Sequence, residues 1–180
     1  MKRLVCGCYI LFITPLLTCC EKDQTTLGNP KTMDHTDLDD RFVMATFDQT
    51  SEDVRDKGWD NVREEQRHLS NVIAFYGKIE NGGFGGFYFD SEYLSDMLNE
   101  FSGSLKAVGA FRAEGLLRAS TLKFEGGVVP PGMDARISVA QTYPDDFDPF
   151  EELDGRFYVE AEPYISLLAD YIRAQPTAFK

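Results

Sequence analysis

The residues best suited to chemistry in this chain are acidic. The stretch "DDFDPFEELD" carries Asp145, Asp146, Asp148, Glu151, Glu152 and Asp154 within ten positions. Such a run can present carboxylates to a basic protein surface. It can also be a solvated face, which charge runs usually are. Calcium is a third chemistry, but the D-x-D-x-D-G spacing of an EF-hand loop is missing. A second stretch, "ENGGFGGFYFD" at residues 80–90, packs glycines against aromatics. A phosphate loop would need G-x-x-x-x-G-K-[ST] after a strand, and a dinucleotide turn would need G-x-G-x-x-G; neither is present. An aromatic platform built from Phe84, Phe87, Tyr88 and Phe89 competes with a plainer reading. In the plainer one, Asn81, Gly82 and Gly83 end a helix and Phe84 and Phe87 plug the turn into the core.

Nucleophiles and metal ligands are scarce. The chain has two histidines. His35 lies in a polar stretch, and His68 sits at the edge of an apolar stripe, where a boundary role is the expectation. No serine stands in a G-x-S-x-G elbow. The four cysteines are Cys6, Cys8, Cys19 and Cys20, so a zinc site in the body of the chain is not expected. No catalytic residue, metal or cofactor is assigned, and the chain is read as a non-enzyme.

Those cysteines belong to the N-terminus. Lys2 and Arg3 precede an apolar run from Leu4 to Leu17. The run is shorter than the roughly 20 residues of a membrane span but suits a secretory signal. "LTCC" at residues 17–20 resembles a bacterial lipoprotein signal, with Cys20 as the lipid anchor and Cys19 as the alternative acceptor. The expected organisation is a signal peptide at 1–20, a polar tether at 21–36 and one domain at 37–180. The expected location is the cell envelope, lipid-anchored; a soluble secreted or periplasmic protein is the alternative.

Net charge is −12, with 30 acidic residues against 18 Lys and Arg. Loss of Lys2 and Arg3 with a signal would make it more negative still. So acidic a chain repels nucleic acid and anionic lipid, so no direct nucleic-acid partner is expected, and membrane contact only through the lipid.

The elements that position these residues read as helices. Leu38, Phe42 and Ala45 predict a helix over 38–49. Asn61 as cap and Glu64 three residues on predict a helix over 61–80, with Leu69, Val72, Ile73, Tyr76 and Ile79 on one face. A helix over 92–108 turns Leu94, Met97, Leu98, Phe101, Leu105 and Val108 inward. One over 110–124 uses Ala110, Ala113, Leu117 and Phe124. A short helix follows Asp134. Residues 150–161 fit either a helical turn or a short strand. A last helix begins at Pro163, with Tyr164, Leu167, Leu168, Tyr171 and Ile172 in register, and ends by Pro176. The class is mainly α: a single compact helical domain behind the signal and tether.

In this order the motifs resemble the bacterial DNA-mimic protein family, over residues 60–175. Asn81-Gly82-Gly83-Phe84 is the most specific part. Gly109-Ala110 and the pattern Leu153, Asp154, Phe157, Tyr158 support it. Gly85 stands where the family often carries a polar residue or histidine. The resemblance implies a mainly helical, acidic, often dimeric protein, so a homodimer stays open. It also implies binding to the basic surface of a DNA-binding protein, with DNA thereby excluded. The expectation is a non-enzymatic acidic protein-binding module; the alternative is an envelope enzyme or small-ligand-binding protein that uses the aromatic and glycine corner.

Overall fold

The computed structural model describes residues 35–90, 94–144 and 147–180. Cys19, Cys20 and the rest of 1–34 lie outside the described residues, as do Asp145 and Asp146. Among the described residues there are seven α-helices and no strand. They are α1 (His35–Lys57), α2 (Glu64–Phe89), α3 (Leu94–Ala107), α4 (Phe111–Thr121), α5 (Met133–Ala140), α6 (Glu151–Glu160) and α7 (Tyr164–Ala174). Short 3-10 turns occupy Trp59–Asn61 and Glu125–Gly127. The chain is mainly α, as its periodicity predicts.

Helix α2 is the axis of the fold. It packs against α1, α3, α5, α6 and α7. Leu69, Val72, Phe75, Tyr76 and Ile79 are fully or almost fully buried along one face. Phe75 sits at the centre of an aromatic cluster. Its ring centroid lies 5.4 Å from Phe87, 6.2 Å from Phe101 and 6.0 Å from Phe157, so α2, α3 and α6 meet there. The pairs with Phe87 and Phe157 are edge-to-face, a geometry that adds to the burial of large rings. Helix α1 covers α7 instead, where Arg173 pairs with Asp39 and lies over the Phe42 ring at 5.2 Å.

Several predicted boundaries move, each for a local reason. Helix α1 already includes His35, inside the expected tether, and runs to Lys57 rather than Gln49. Asn61 does not cap α2. Its amide donates to the Lys57 carbonyl at 2.7 Å and so closes α1. The α2 cap is Arg63, whose backbone N–H donates to Gln66 Oε1 at 3.1 Å; Gln66, not Glu64, supplies the returning side chain. In α3, Phe101, Leu105 and Val108 are buried and Met97 and Leu98 pack at the rim; the Leu94 side chain lies outside the described ones. Helix α3 ends at Ala107 and is closed off at Gly109, where φ is +86°, with the Ala110 N–H reaching back to the Leu105 carbonyl at 2.8 Å. Residues 151–160 are helical, so the strand alternative for 150–161 falls. Leu153 and Phe157, one turn apart, both face the core, while Gly155 between them, which a strand would turn to the same side, is exposed. Pro163 caps α7 rather than opening it, and its carbonyl accepts the Ser166 N–H at 3.1 Å.

Candidate functional site

The glycine corner and the acidic stretch meet in space through Phe84 and Asp154, 70 positions apart. The corner does not end α2. Asn81 stays helical, its amide donating to the Gly77 carbonyl at 2.6 Å. Only Gly83 leaves the helix, at φ +61° and ψ −169°, a conformation open to glycine almost alone. The helix then resumes and runs to Phe89, against the expectation that Asn81, Gly82 and Gly83 terminate it.

Asp154 is the reason it resumes. Its Oδ1 accepts the Phe84 N–H at 2.7 Å, as a cap residue would at a fresh helix start. The two groups also approach too closely for any side chain at Gly83. A Cβ there would sit 2.3 Å from Asp154 Oδ2. Tyr158, one turn along α6, donates from its hydroxyl to the Ile79 and Glu80 carbonyls, both at 3.4 Å. Phe84, Phe87 and Tyr88 are thereby driven fully into the core. The corner thus offers none of these three rings as an aromatic platform, and the ligand reading of the corner loses its surface.

Burial raises the Asp154 carboxyl above its ordinary value, with the nearby Asp148 charge adding to the rise and the Phe84 N–H opposing it. Asp154 therefore belongs to the fold and not to the outer acidic face. Asp148, Glu151 and Glu152 remain exposed beside it. Asp148 Oδ1 also accepts the Phe150 N–H at 2.8 Å, which shapes the turn into α6. Glu151 and Glu152 occupy the first turn of α6, where carboxylates also favour the helix dipole. The described part of the stretch is thus a short outward rim of three carboxylates, with a fourth turned inward.

His68 is a boundary residue, as expected. Its Nδ1 lies 2.7 Å from the Tyr171 hydroxyl, and burial lowers its pKa. Among the described residues, no group of three or more His, Cys, Asp or Glu could hold a metal ion. No helix among them is long and apolar enough to cross a membrane.

Sequence reasoning missed three polar anchors. Glu162 accepts the Arg112 N–H at 2.7 Å and the Ala113 N–H at 3.2 Å, and so caps α4 from the connection between α6 and α7. Arg136 is fully buried and donates to the Tyr88 carbonyl at 2.7 Å. Glu114, also buried, receives the Ser102 hydroxyl at 2.7 Å and Lys106 at 3.0 Å, tying α3 to α4. None lies at a recognisable spacing from its partner, so no pattern in the sequence announces it.

An acidic all-helical domain whose signature residues are spent on holding one corner defines a scaffold whose outer surface must carry any function. Residues 60–175 match the family described as DMP19-like protein, and the chain belongs to that family. Membership agrees with the resemblance carried by the motifs and points to a DNA-mimic, non-enzymatic, protein-binding role. No curated protein and no solved structure matches the chain. Helix α1 precedes the matched residues.

Proposed function

We propose that this protein is a non-enzymatic acidic module that occupies a basic protein surface of the kind DNA-binding proteins carry. The observation that carries the proposal is membership of the DMP19-like family, in a chain of net charge −12. Carboxylates can engage the same Lys and Arg side chains that phosphates do, which gives the role its physical basis. The exposed rim of Asp148, Glu151 and Glu152 is the proposed contact, and Asp145 and Asp146, which precede it in the sequence, are proposed to add to its charge. The chain is further proposed to be exported and lipid-anchored through Cys20, so that its partner is a basic surface met in the envelope.

The test is a pull-down from envelope and cytoplasmic fractions, followed by titration of each captured protein. Affinity is expected to fall steeply between low and moderate salt and to be competed by duplex DNA. The triple variant Asp148→Asn, Glu151→Gln, Glu152→Gln is expected to bind about tenfold more weakly, at the modest free energy of exposed ion pairs. Binding that ignores salt and DNA overturns the proposal. Fatty-acid labelling that persists in Cys20→Ser overturns the anchor.

A further inference from the structure

A cavity of about 450 Å³ opens between the Trp59–Asn61 turn, α2 and α3, away from the glycine corner. Its wall holds Asn71, which is only 4% exposed. The Asn71 amide donates to Ser104 Oγ at 3.1 Å, and Ser104 also lines the cavity. Among the described residues the Asn71 side-chain carbonyl has no hydrogen-bond partner. A buried acceptor left unmatched is costly, so it marks a place where a donor belongs.

The remaining wall specifies which donor. Asp60, Glu64 and Glu100 bring three carboxylates, and Trp59 brings an indole ring. Among the described residues Arg67 is the one permanent cation of the wall, and its Nη1 is already turned to the Val62 carbonyl at 3.1 Å. His68 also lines the cavity, with Nδ1 engaged by the Tyr171 hydroxyl; burial favours its neutral form. The cavity is therefore net negative. An ammonium could satisfy the charge. A guanidinium also matches the rest, with a flat face for the indole and in-plane donors for an amide carbonyl and carboxylates together.

We propose that this cavity receives an arginine side chain from the protein partner, as the anchor of the interface. Arginines seated in desolvated pockets dominate many interfaces, while rim charges act more on rate and specificity. The inference rests on the reading of the chain as a module for basic surfaces. It names the residue type that such a partner must present and a face distinct from the Asp148–Glu152 rim.

The test uses the full chain and a small probe, N-acetyl-arginine amide. The chain has one tryptophan, so the indole Nε1–H of Trp59 gives a single NMR signal to follow. A saturable shift is expected with the arginine probe. The lysine analogue should bind about fivefold more weakly or worse, and the neutral citrulline analogue should not bind. Glu100→Gln and Asp60→Asn, both exposed positions, should each weaken the arginine response by about threefold to tenfold. No saturable shift, an equal response to lysine or citrulline, or a response unchanged in both variants overturns the proposal. The outcome is separable from that of the parent reading. A failed probe with salt-dependent partner binding removes only the anchor, whereas a saturating probe with salt-insensitive partner binding removes the DNA-mimic reading.

Discussion

The glycine corner and the Trp59 cavity exchange the roles their sequences suggest. The corner, with its glycines and aromatics, looks like a ligand loop and is a joint. Its rings are buried, its glycine is pressed against Asp154, and the orphan N–H of Phe84 is satisfied within the chain. The cavity draws on Trp59, Asn71 and Glu100, residues that no motif groups together, yet it retains an unmatched buried acceptor and a surplus of negative charge. Internally satisfied polar groups serve stability, and unsatisfied ones at a solvent-open wall are available to a partner. The family signature therefore marks how the domain holds together rather than what it touches.

Substitution at the corner should separate the two regions most sharply. Gly83→Ala must place a Cβ 2.3 Å from Asp154 Oδ2 at a backbone angle that alanine avoids. A loss of about 3 kcal/mol or more is expected in urea denaturation. An alanine variant of wild-type stability would show that the corner is not a clasp. Asp154→Ala comes next. It strands the Phe84 N–H and should cost about 1–3 kcal/mol, while Asp154→Asn keeps an acceptor and should lose less.

Acid titration sharpens the comparison further. Burial raises the folded-state value of Asp154 above its ordinary 3.8, so the folded protein holds that proton more tightly than the unfolded chain. Its contribution is fully present below 3.8 and is lost as pH rises through the raised value. Glu114 runs the other way. Burial alone would raise it, but the Ser102 hydroxyl and Lys106 together lower it, so its contribution is present above its ordinary 4.5 and lost as pH falls. Urea midpoints across this range, compared between wild type and Asp154→Asn, should show the wild type losing ground as pH rises. A difference that grows in the opposite direction would contradict the buried setting of Asp154.

Smaller effects are expected outside the clasp's centre. Tyr158→Phe removes two long hydrogen bonds from an exposed hydroxyl-bearing ring and should cost about 0.5 kcal/mol. Glu100→Gln at the cavity should change stability by no more than about 0.5 kcal/mol in the same assay, while still altering the response to the arginine probe. A large stability loss there would place the cavity with the structural regions, beside the corner.

Much of the helical plan was readable from spacing. The apolar stripe from Leu69 to Ile79, the inward set of α3 from Met97 to Val108 and the register of α7 follow from the 3.6-residue period, and each is buried or packed at the core rim as read. Helix ends were read less well. Asn61 and Asn81 are both good terminators by type, yet each spends its amide on a carbonyl four residues back, and other residues do the capping. The ambiguous segment 150–161 is helical over Glu151–Glu160, which buries Leu153 and Phe157 and leaves Gly155 between them exposed. Of the candidate acidic site, the rim was legible as charge, but the inward turn of Asp154 was not. Nothing in "FEELD" distinguishes one carboxylate from the next until α6 is laid against the corner.

The amino-acid sequence by itself determined the class: period, composition and glycine placement commit the chain to an acidic helical domain, and three short motifs mark its family. Those are local or additive properties, carried by each segment wherever it sits. Tertiary structure decided the rest. It alone made Gly83 a hinge held by a carboxylate 71 positions later, and it alone gathered Trp59, Asn71 and Glu100 around one cavity. Burial, desolvation and the matching of donors to acceptors depend on which surfaces meet, and only the folded chain specifies that.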